Sequence, residues 1–424
     1  AQNDIEQWKD VEVTSVSFDS RHLDQGSLFV PLQGAQDGHQ YVPSAFTNGA
    51  VASLWASDHE ITDQTHPLLV INDPLAALQQ LGKYYLHKIN PIVVAVTGSN
   101  GKTTTKDMIA SILSTQFNVT KTYANFNNEI GVPVTLLNME SNTEAVVVEM
   151  GMDRFDQLDF LSKLVNPDIA VITMIGEAHI EFFGTRDKIA DAKMEITHGL
   201  KEDGMLVFNG DEPLLEERVK DLTQRQMRFG RQLSNNLYAT SVRDEPRQLS
   251  FTVNEWPDEE FTIPMVGEYN INNALAAMEV GKILHITPAH MKQALANVEL
   301  TENRAEWVKG KNGEQILSDV YNSNPTAAKE VLKTIAETPV DGRRIAVLGD
   351  MLELGDAAPK LHASLAEEID HQKIASVYLV GEQMKNLKDK LIQEGYPAED
   401  IHHYAASDLQ QLIADLTATL TGED

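Results

Sequence analysis

A chain of 424 residues is too long for one ordinary hydrophobic core, so its length predicts two or three domains. The hydrophobic share of 42% indicates a folded globular protein, and the formal net charge of −29 argues against a sequence-independent nucleic-acid binder, which needs a basic surface. Cysteine is absent from the sequence, which excludes disulfides and a thiol nucleophile.

The sequence also argues against a secreted or membrane protein. No window approaches the length of a transmembrane span, and the N-terminal segment AQNDIEQWKD does not resemble a signal peptide. We therefore expect a cytoplasmic protein without membrane insertion. We interpret Ala1, in place of an initiator methionine, as a trimmed N-terminus.

Residues 1–88 are predicted to form a small α/β domain. Short strand-like segments alternate with turn residues, and Asp73 followed by Pro74 predicts a helix that reaches Tyr85. Polar residues between Phe18 and His39 are compatible with a ligand pocket, although turn chemistry alone also explains them.

The stretch from Pro91 to Ile112 predicts a binding site for a nucleoside triphosphate. An apolar, β-branched run at Ile92–Val96 is typical of a buried parallel strand, and the turn GSNG and an amphipathic helix follow it. Glycines allow backbone N–H groups to approach phosphates, and a helix N-terminus favours negative charge. In this pattern Lys102 contacts the β- and γ-phosphates, and the Thr103 hydroxyl is placed to ligate Mg²⁺.

Val96 stands where the general phosphate-loop pattern has its first glycine, so a strict match to that pattern fails. The alternative is an ordinary glycine-rich turn between a strand and a helix, with a surface lysine. The buried strand before the turn and the helix after it favour the phosphate site.

The second block, residues 89–302, alternates strands and helices, which predicts a mostly parallel sheet. Its predicted strands are Ile92–Val96, Ala145–Glu149, Ile169–Met174 and Met205–Asn209, with a small antiparallel insertion over 231–265. The third block, residues 303–424, predicts a second α/β unit. Its predicted strands are Ile316–Val320, Arg344–Leu348 and Ser376–Val380, and its predicted helices are Ala327–Glu337 and His362–Asp370.

Several residues with chemical potential follow the strands of the second block. Glu149 ends an apolar strand, where a carboxylate can ligate Mg²⁺, and His179 follows the next strand along the chain. Lys193 lies in a helical stretch. Each of the three also has a simpler explanation. Glu149 could be a solvated glutamate at a strand end, His179 a surface histidine and Lys193 a solvated helix lysine.

Five motifs in a fixed order resemble the Mur ligase family, the ATP-dependent amide-forming enzymes of bacterial peptidoglycan precursor synthesis. They are TGSNGKTTT (97–105), NFNNEIG (125–131), GEAHIEFFG (176–184), DVYNSNP (319–325) and VLGDMLELG (347–355). The family's phosphate loop is shorter than the general pattern, which accounts for Val96. The resemblance covers nearly the whole chain.

The resemblance implies an α/β fold with three domains. These are a UDP-sugar (UDP-MurNAc) binding domain at 1–88, a central phosphate-loop ATPase with a mostly parallel sheet at 89–302, and a Rossmann-like C-terminal domain at 303–424. The family's last domain usually continues into a strand with a Lys-Gly-Ser turn, whereas this sequence stops at Asp424, so we expect a truncated last sheet.

The activity implied by the resemblance is ATP-dependent joining of D-alanyl-D-alanine to UDP-N-acetylmuramoyl-tripeptide through an acyl phosphate. The tetrapeptide Asp-Asn-Pro-Arg of the relative that adds meso-diaminopimelate is absent. The expected partners are these small-molecule substrates and no nucleic acid, and the expected state is a monomer. The third residue of the tripeptide, lysine or diaminopimelate, stays open.

The resemblance also implies roles for individual residues. Lys102, His179 and Lys193 would be catalytic. ATP would be bound by Gly98, Ser99, Asn100, Gly101, Lys102, Thr103, Thr104, Asn270, Asn273, Arg304 and Asp319. Two Mg²⁺ ions are expected, held by Thr103, Glu149, His179 and, if carbamylated, Lys193, because a carbamate replaces a cation with anionic oxygen ligands. Substrate-binding roles fall to Ser20, Arg21, Asn127, Asn128, Asn322 and Asn324.

Two other functions are weighed against this one. A folylpolyglutamate synthetase typically carries Gly-Lys-Gly-Ser in its phosphate turn, whereas Thr103 and Thr104 follow Lys102 here. A nucleotide-binding switch without ligase chemistry needs no second metal site, so the presence of Glu149, His179 and Lys193 weighs against it.

Overall fold

The computed structural model describes residues 8–61, 65–245, 247–301 and 306–424. Within these ranges 18 strands form four sheets, with helices packed between and around them. The expected α/β fold is confirmed. Arg304, an expected ATP-binding residue, lies outside the described residues. Among the described helices, none combines the length and the apolar character needed to cross a membrane.

The first sheet is parallel and small. Its strands follow the chain order, with β1 at Ser15–Ser17, β2 at Ser27–Phe29, β3 at Ala50–Ala56 and β4 at Leu68–Ile71. Two helices accompany it, α1 at Val42–Asn48 and α2 at Pro74–Ile89. The Asp73 carboxylate accepts hydrogen bonds from the N–H groups of Leu75 and Ala76, as an N-cap does. Helix α2 continues past the predicted end at Tyr85, because Leu86 is still buried in the core.

The second sheet has nine strands in the order β13-β12-β11-β10-β9-β8-β5-β7-β6. The strands are β5 Ile92–Thr97, β6 Val119–Lys121, β7 Ala145–Glu149, β8 Ile169–Ile172, β9 Met205–Asn209, β10 Arg225–Gly230, β11 Leu237–Glu245, β12 Gln248–Val253 and β13 Trp256–Ile263. The predicted insertion is an antiparallel meander, β11 to β13, as expected. It extends the central sheet, because the unpredicted strand β10 pairs in parallel with both β9 and β11.

Two helical layers cover the central sheet. Its helices are α3 Lys102–Leu113, α4 Gly131–Leu137, α5 Gln157–Val165, α6 Ile180–Phe183, α7 Arg186–Met194, α8 Pro213–Arg218, α9 Tyr269–Ile283 and α10 Pro288–Ala296. Alternate residues of β5 point to opposite faces of the sheet. Val94 and Val96 pack on the face covered by α3 and α9, whereas Val93 and Ala95 pack in the hydrophobic core on the opposite face. Strand β5 lies between β7 and β8, so the carboxyl ends of these three strands meet at one edge.

The C-terminal part contains two further sheets. An antiparallel hairpin joins β14 (Glu306–Lys309) to β15 (Gln315–Ser318), and a parallel sheet contains β16 (Ile345–Gly349), β17 (Ser376–Val380) and β18 (Ile401–Tyr404). The helices are α11 Pro325–Glu337, α12 Ala358–Ala363, α13 Met384–Gln393 and α14 Leu409–Thr419.

Two predicted elements of the C-terminal part are present with different bounds. The segment predicted as the strand Ile316–Val320 belongs to the separate hairpin and ends at Ser318. The helix predicted over His362–Asp370 begins earlier, at Ala358, because Pro359 fits the first turn of a helix. It changes to a 3-10 turn at Ser364.

Candidate active site

A cavity of about 590 Å³ opens at the carboxyl ends of β5, β7 and β8. The C-terminal part supplies its opposite wall. The cavity brings together most of the residues that the sequence predicts, namely Ser99, Asn100, Gly101, Lys102, Thr103, Thr104, Asn127, Asn128, Glu149, His179, Asn270, Asn273, Asp319, Asn322 and Asn324. Lys193 is buried behind it, and Ser20 and Arg21 do not line it.

Two glycines give the phosphate turn its shape. Gly98 has φ +150° and Gly101 has φ +78°, and both lie in contact with neighbouring side chains. A Cβ atom at Gly98 would lie 1.8 Å from the Thr173 hydroxyl, and one at Gly101 would lie 2.3 Å from the Asn273 side-chain oxygen. No other residue fits either position without moving the wall of the cavity.

Helix α3 begins directly after this turn, and no side chain in the described part of the chain caps its N-terminus. The Lys102 ammonium folds back over the turn and donates to the Gly98 carbonyl at 2.9 Å and to the Ser99 carbonyl at 3.4 Å. The Ser99 hydroxyl is buried and has no hydrogen-bond partner among the described residues. Uncapped N–H groups, an ammonium and a spare hydroxyl together form a site for an anion such as phosphate.

Glu149 ends β7 with its side chain buried at 2% exposure. One carboxylate oxygen accepts a hydrogen bond from the Asn127 amide at 2.9 Å, whereas Oε2 has no partner among the described residues. A buried carboxylate oxygen without a partner is costly unless a cation satisfies it. Glu149 and the Thr103 hydroxyl line the same cavity and are oxygen ligands of the kind Mg²⁺ prefers, so these residues fit a magnesium ion.

His179 stands at the start of α6 with a left-handed φ of +64°. Its Nδ1 lies 2.5 Å from a carboxylate oxygen of Glu353, which comes from the C-terminal part. Burial lowers the pKa of His179, while the neighbouring Glu353 opposes that shift and the charges of Lys193 and Lys102 add to it. Glu353 was not predicted as a site residue, although it lies within the motif VLGDMLELG.

Lys193 projects from α7 into the interior and is 1% exposed. Burial lowers its pKa well below the usual range, and the nearby charge of Lys102 lowers it further. None of the described carboxylates forms an ion pair with its amine. A lowered pKa increases the share of neutral, nucleophilic amine at a given pH, so this lysine differs from an ordinary solvated helix lysine.

Asn270 and Asn273 connect α9 to the phosphate-turn helix. The Asn270 amide donates to the Val266 carbonyl at 2.8 Å, and the Asn273 amide donates to Asn270 at 3.0 Å. Thr105 of α3 donates to the Asn273 oxygen at 3.2 Å. Asn209, at the end of β9, also lines the cavity, together with four residues that were not predicted as site residues, namely Arg231, Met265, Glu268 and Tyr269.

The C-terminal wall reaches the phosphate turn through Asn324. Its side-chain oxygen caps α11 at the Ala327 N–H and also accepts from the Asn100 amide at 3.1 Å. A second hydrogen bond joins Thr326 to Glu177. The cavity is therefore closed by side-chain contacts between the two parts.

A buried carboxylate connects α3 to the end of the central domain, just before the C-terminal part. Asp107 accepts hydrogen bonds from the Thr301 N–H at 3.0 Å and from the Thr301 hydroxyl at 2.9 Å. Lys121 lies 2.6 Å from the other carboxylate oxygen, and Lys106 lies 3.3 Å from it. Thr301 is therefore fixed to the helix that carries the phosphate turn.

The expected substrate-side residues are distributed between the cavity and the first sheet. Asn127 and Asn128 line the cavity, and the Asn128 side chain also accepts from the Gly131 N–H at the start of α4. Ser20 is buried, whereas the Arg21 side chain is 80% exposed and pairs with Asp19 at 2.8 Å. The roles of Ser20 and Arg21 stay predictions.

Outside the cavity, Asp37, His39 and His59 form a cluster of potential metal ligands in the described part of the chain. His39 Nε2 accepts a hydrogen bond from the Ala56 N–H, so we assign the ring proton to Nδ1, which donates to Asp37 at 2.7 Å. A metal on Nδ1 would move that proton to Nε2, where it would face the Ala56 N–H. The cluster is therefore a hydrogen-bond network and a poor metal site.

Comparison with known families agrees with this geometry along the chain. The model of the Mur ligase family catalytic domain matches residues 12–86, that of the Mur ligase middle domain matches 96–281, and that of the Mur ligase glutamate ligase domain matches 303–424.

Individual relatives and structures agree with the family models. A UDP-N-acetylmuramoyl-tripeptide--D-alanyl-D-alanine ligase of Bacillus subtilis is 39% identical over 411 residues, covering 96% of this chain and 89% of the relative. Crystal structure I of MurF from Acinetobacter baumannii has a TM-score of 0.84 at 28% identity and covers 96% of this chain and 88% of that chain. MurF from Thermotoga maritima in complex with ADP has a TM-score of 0.82 at 27% identity, covering 98% and 93%. The resemblance expected from the motifs is confirmed, and the chain belongs to the Mur ligase family.

Proposed function

We propose that this protein is an ATP-dependent ligase that joins D-alanyl-D-alanine to UDP-N-acetylmuramoyl-tripeptide. The observation that carries the proposal is the cavity itself, where Lys102 and the N-terminus of α3 line the same space as Glu149, whose buried Oε2 has no hydrogen-bond partner among the described residues. We take the two substrates from the name of the Bacillus subtilis relative, which aligns over nearly the whole chain.

The reaction divides into two transfers. The carboxylate of the tripeptide attacks the γ-phosphorus of ATP, the bond to the β,γ-bridging oxygen breaks, and ADP leaves an acyl phosphate behind. The amine of D-alanyl-D-alanine then attacks the carbonyl carbon, and phosphate leaves from the tetrahedral intermediate as the amine loses a proton. Phosphorylation is needed because carboxylate oxygen is a poor leaving group.

The residues of the phosphate turn stabilise the charge that accumulates in the first transfer. Lys102 and the N–H groups at the start of α3 bind the phosphates, with Gly98, Ser99, Asn100, Gly101, Thr103 and Thr104 forming the rest of the turn. Such preorganised donors act most strongly where water is excluded. The contacts of Asn324 with Asn100 and of Glu353 with His179 close the cavity and would protect an acyl phosphate from hydrolysis.

Metal ions fit the same residues. Thr103 and Glu149 would hold one Mg²⁺, and His179 would contribute to a second site. Bound Mg²⁺ supplies charge neutralisation between the two anionic reactants. The unpartnered Oε2 of Glu149 supports the first site.

Carbamylation of Lys193 belongs to the proposal. Carbon dioxide reacts with neutral amines, and burial holds the pKa of Lys193 well below its usual range. A carbamate would provide the anionic oxygens that a second metal needs.

The remaining assignments concern substrate and nucleotide contacts. We assign Asn270, Asn273, Arg304 and Asp319 to ATP, Ser20, Arg21, Asn127 and Asn128 to the UDP substrate, and Asn322 and Asn324 to the dipeptide. The enzyme is proposed to act as a monomer in the cytoplasm.

A phosphate-release assay tests the function. We expect release from ATP only when UDP-N-acetylmuramoyl-tripeptide and D-alanyl-D-alanine are both present, with one amide formed per phosphate. ATP hydrolysis that is indifferent to both substrates would contradict the proposal and favour a nucleotide switch. Turnover with a folate and glutamate instead would identify the alternative ligase.

A further inference from the structure

A second cavity of about 300 Å³, called here the side groove, adjoins the main cavity, and Gly151 and Gln157 line both. Its walls also include Gln79 of α2, Glu129, Arg154, Phe155, Phe160 and Leu161. Every lining residue in the described chain lies between 79 and 161, so the C-terminal part contributes nothing to this groove. The mechanism above does not use it.

The side groove combines an apolar surface with charge. Phe155 and Phe160 are 43% and 39% exposed, so part of each ring is available for an apolar contact. Glu129 and Arg154 approach to 3.8 Å, and Asp153 also lies within 3.4 Å of Arg154. The lining acids Glu129 and Asp156 outnumber the single base Arg154, so the groove is net negative.

We propose that the side groove binds the side chain of the third residue of the tripeptide, and that the Glu129 carboxylate recognises its terminal ammonium. This inference rests on the proposed function. The carboxylate that is phosphorylated belongs to the third residue, so the α-carbon of that residue lies in the main cavity. Its side chain must therefore enter space directly beside the reacting centre, and the side groove is joined to that centre through Gly151 and Gln157.

The chemistry of the groove matches such a side chain. Aliphatic carbon packs well against Phe155 and Phe160, and an ammonium at the far end neutralises the excess acid. D-Alanyl-D-alanine fits less well, because it offers two methyl groups and a carboxylate to a net negative surface. Lysine and diaminopimelate both carry the ammonium, and Arg154 lies where the additional carboxylate of diaminopimelate would need a cation.

The test compares three UDP-N-acetylmuramoyl-tripeptides whose third residue is lysine, diaminopimelate or norleucine. Norleucine keeps an aliphatic side chain and lacks the ammonium. For the unmodified protein we expect kcat/KM to be about threefold to tenfold lower with the norleucine substrate than with the lysine substrate, as for a partly exposed ion pair. In Glu129→Gln this difference should disappear, whereas Glu140→Gln, at an exposed position outside the groove, should preserve it.

Two further variants separate the parts of the groove. Phe160→Ala should raise KM for every tripeptide about fivefold through lost apolar contact, without changing KM for ATP. Tyr84→Ala removes an aromatic ring that is 66% exposed on α2 and serves as its control. Arg154→Gln should lower kcat/KM with the diaminopimelate substrate only, if that residue is the natural one.

Each outcome bears on one proposal. Equal kcat/KM for the lysine and norleucine substrates in the unmodified protein would overturn the assignment of the side groove while leaving the ligase intact. A norleucine discrimination that survives Glu129→Gln would overturn the role of Glu129. Absence of turnover with all three tripeptides would contradict the proposed function itself.

Discussion

The phosphate turn and the C-terminal wall of the same cavity are held in different ways. Backbone geometry fixes the turn: the Ser99 N–H donates to the Met174 carbonyl at 3.0 Å, and the Thr173 hydroxyl donates to the Asn100 carbonyl. The C-terminal wall is attached mostly through side chains, such as Glu353, which is 43% exposed, and also by a backbone hydrogen bond from the Glu181 N–H to the Glu353 carbonyl at 3.1 Å. The part that binds the phosphates is thus preformed within one sheet, whereas the part that closes over them can separate without unfolding anything.

The largest effect is expected at the preformed part. Lys102→Ala removes the ammonium that lies over the turn, and kcat/KM for ligation should fall about 1000-fold because no other described cation occupies that position. Phosphate release in the presence of both substrates measures the change. Lys220→Ala, on the exposed surface, is the matched control. Activity within a few-fold of the unmodified protein would contradict the assignment of the phosphate site.

The stability of the preformed part should depend on pH through Glu279 of α9. Its carboxylate is fully buried, and burial raises its pKa from 4.5 to about 7. Because the folded protein favours the protonated acid, the free energy of unfolding should fall as pH rises from 4.5 to 7, by about 3 kcal/mol in total. Below pH 4.5 this carboxyl group is protonated in both the folded and the unfolded protein, so it adds no pH dependence to the free energy of unfolding.

Glu279→Gln should remove this dependence and stabilise the protein at pH 8 more than at pH 5. Urea unfolding at several pH values measures it, with the exposed Glu259→Gln as control. If both variants show the same pH profile as the unmodified protein, Glu279 is ionised in the folded state at neutral pH.

Glu149→Gln keeps the size of the side chain and removes its charge. We expect a loss of about 100-fold in kcat and a higher Mg²⁺ concentration for half-maximal activity, since the buried oxygen would no longer attract a cation. A titration of activity against Mg²⁺ measures both. An unchanged Mg²⁺ requirement would place the metal elsewhere.

The smallest effect is expected at the C-terminal wall. Glu353→Gln weakens the contact with His179 without emptying the phosphate site, so kcat should fall about tenfold while KM for ATP changes little. Glu367→Gln, which removes an exposed pairing with Lys329 in the same part of the chain, is the control. A loss as large as that of Lys102→Ala would mean that the two walls are not separable.

Local sequence patterns predicted the preformed part of the site well. The rest of the site depends on long-range contacts, which such patterns do not predict. The turn around Gly98 depends on neighbours in sequence, so its residue types were sufficient. The contact of His179 with Glu353 spans 174 residues, and no periodicity encodes such a pair. The start of α12 is different, because Pro359 was a usable signal that the prediction overlooked. The burial of Lys193 results from tertiary packing, so the local sequence around it could not predict it.

The fixation of Thr301 to Asp107 limits how far the C-terminal part can move. Thr301 and Glu306, the first residue of β14, are five Cα–Cα steps apart, so the chain between them spans at most about 17 Å. The C-terminal part is therefore connected by a short segment to a residue that is fixed on the helix of the phosphate turn. Even with the cavity fully open, its side chains remain at a high effective concentration near the nucleotide, and reclosure competes well with diffusion of an intermediate into solvent.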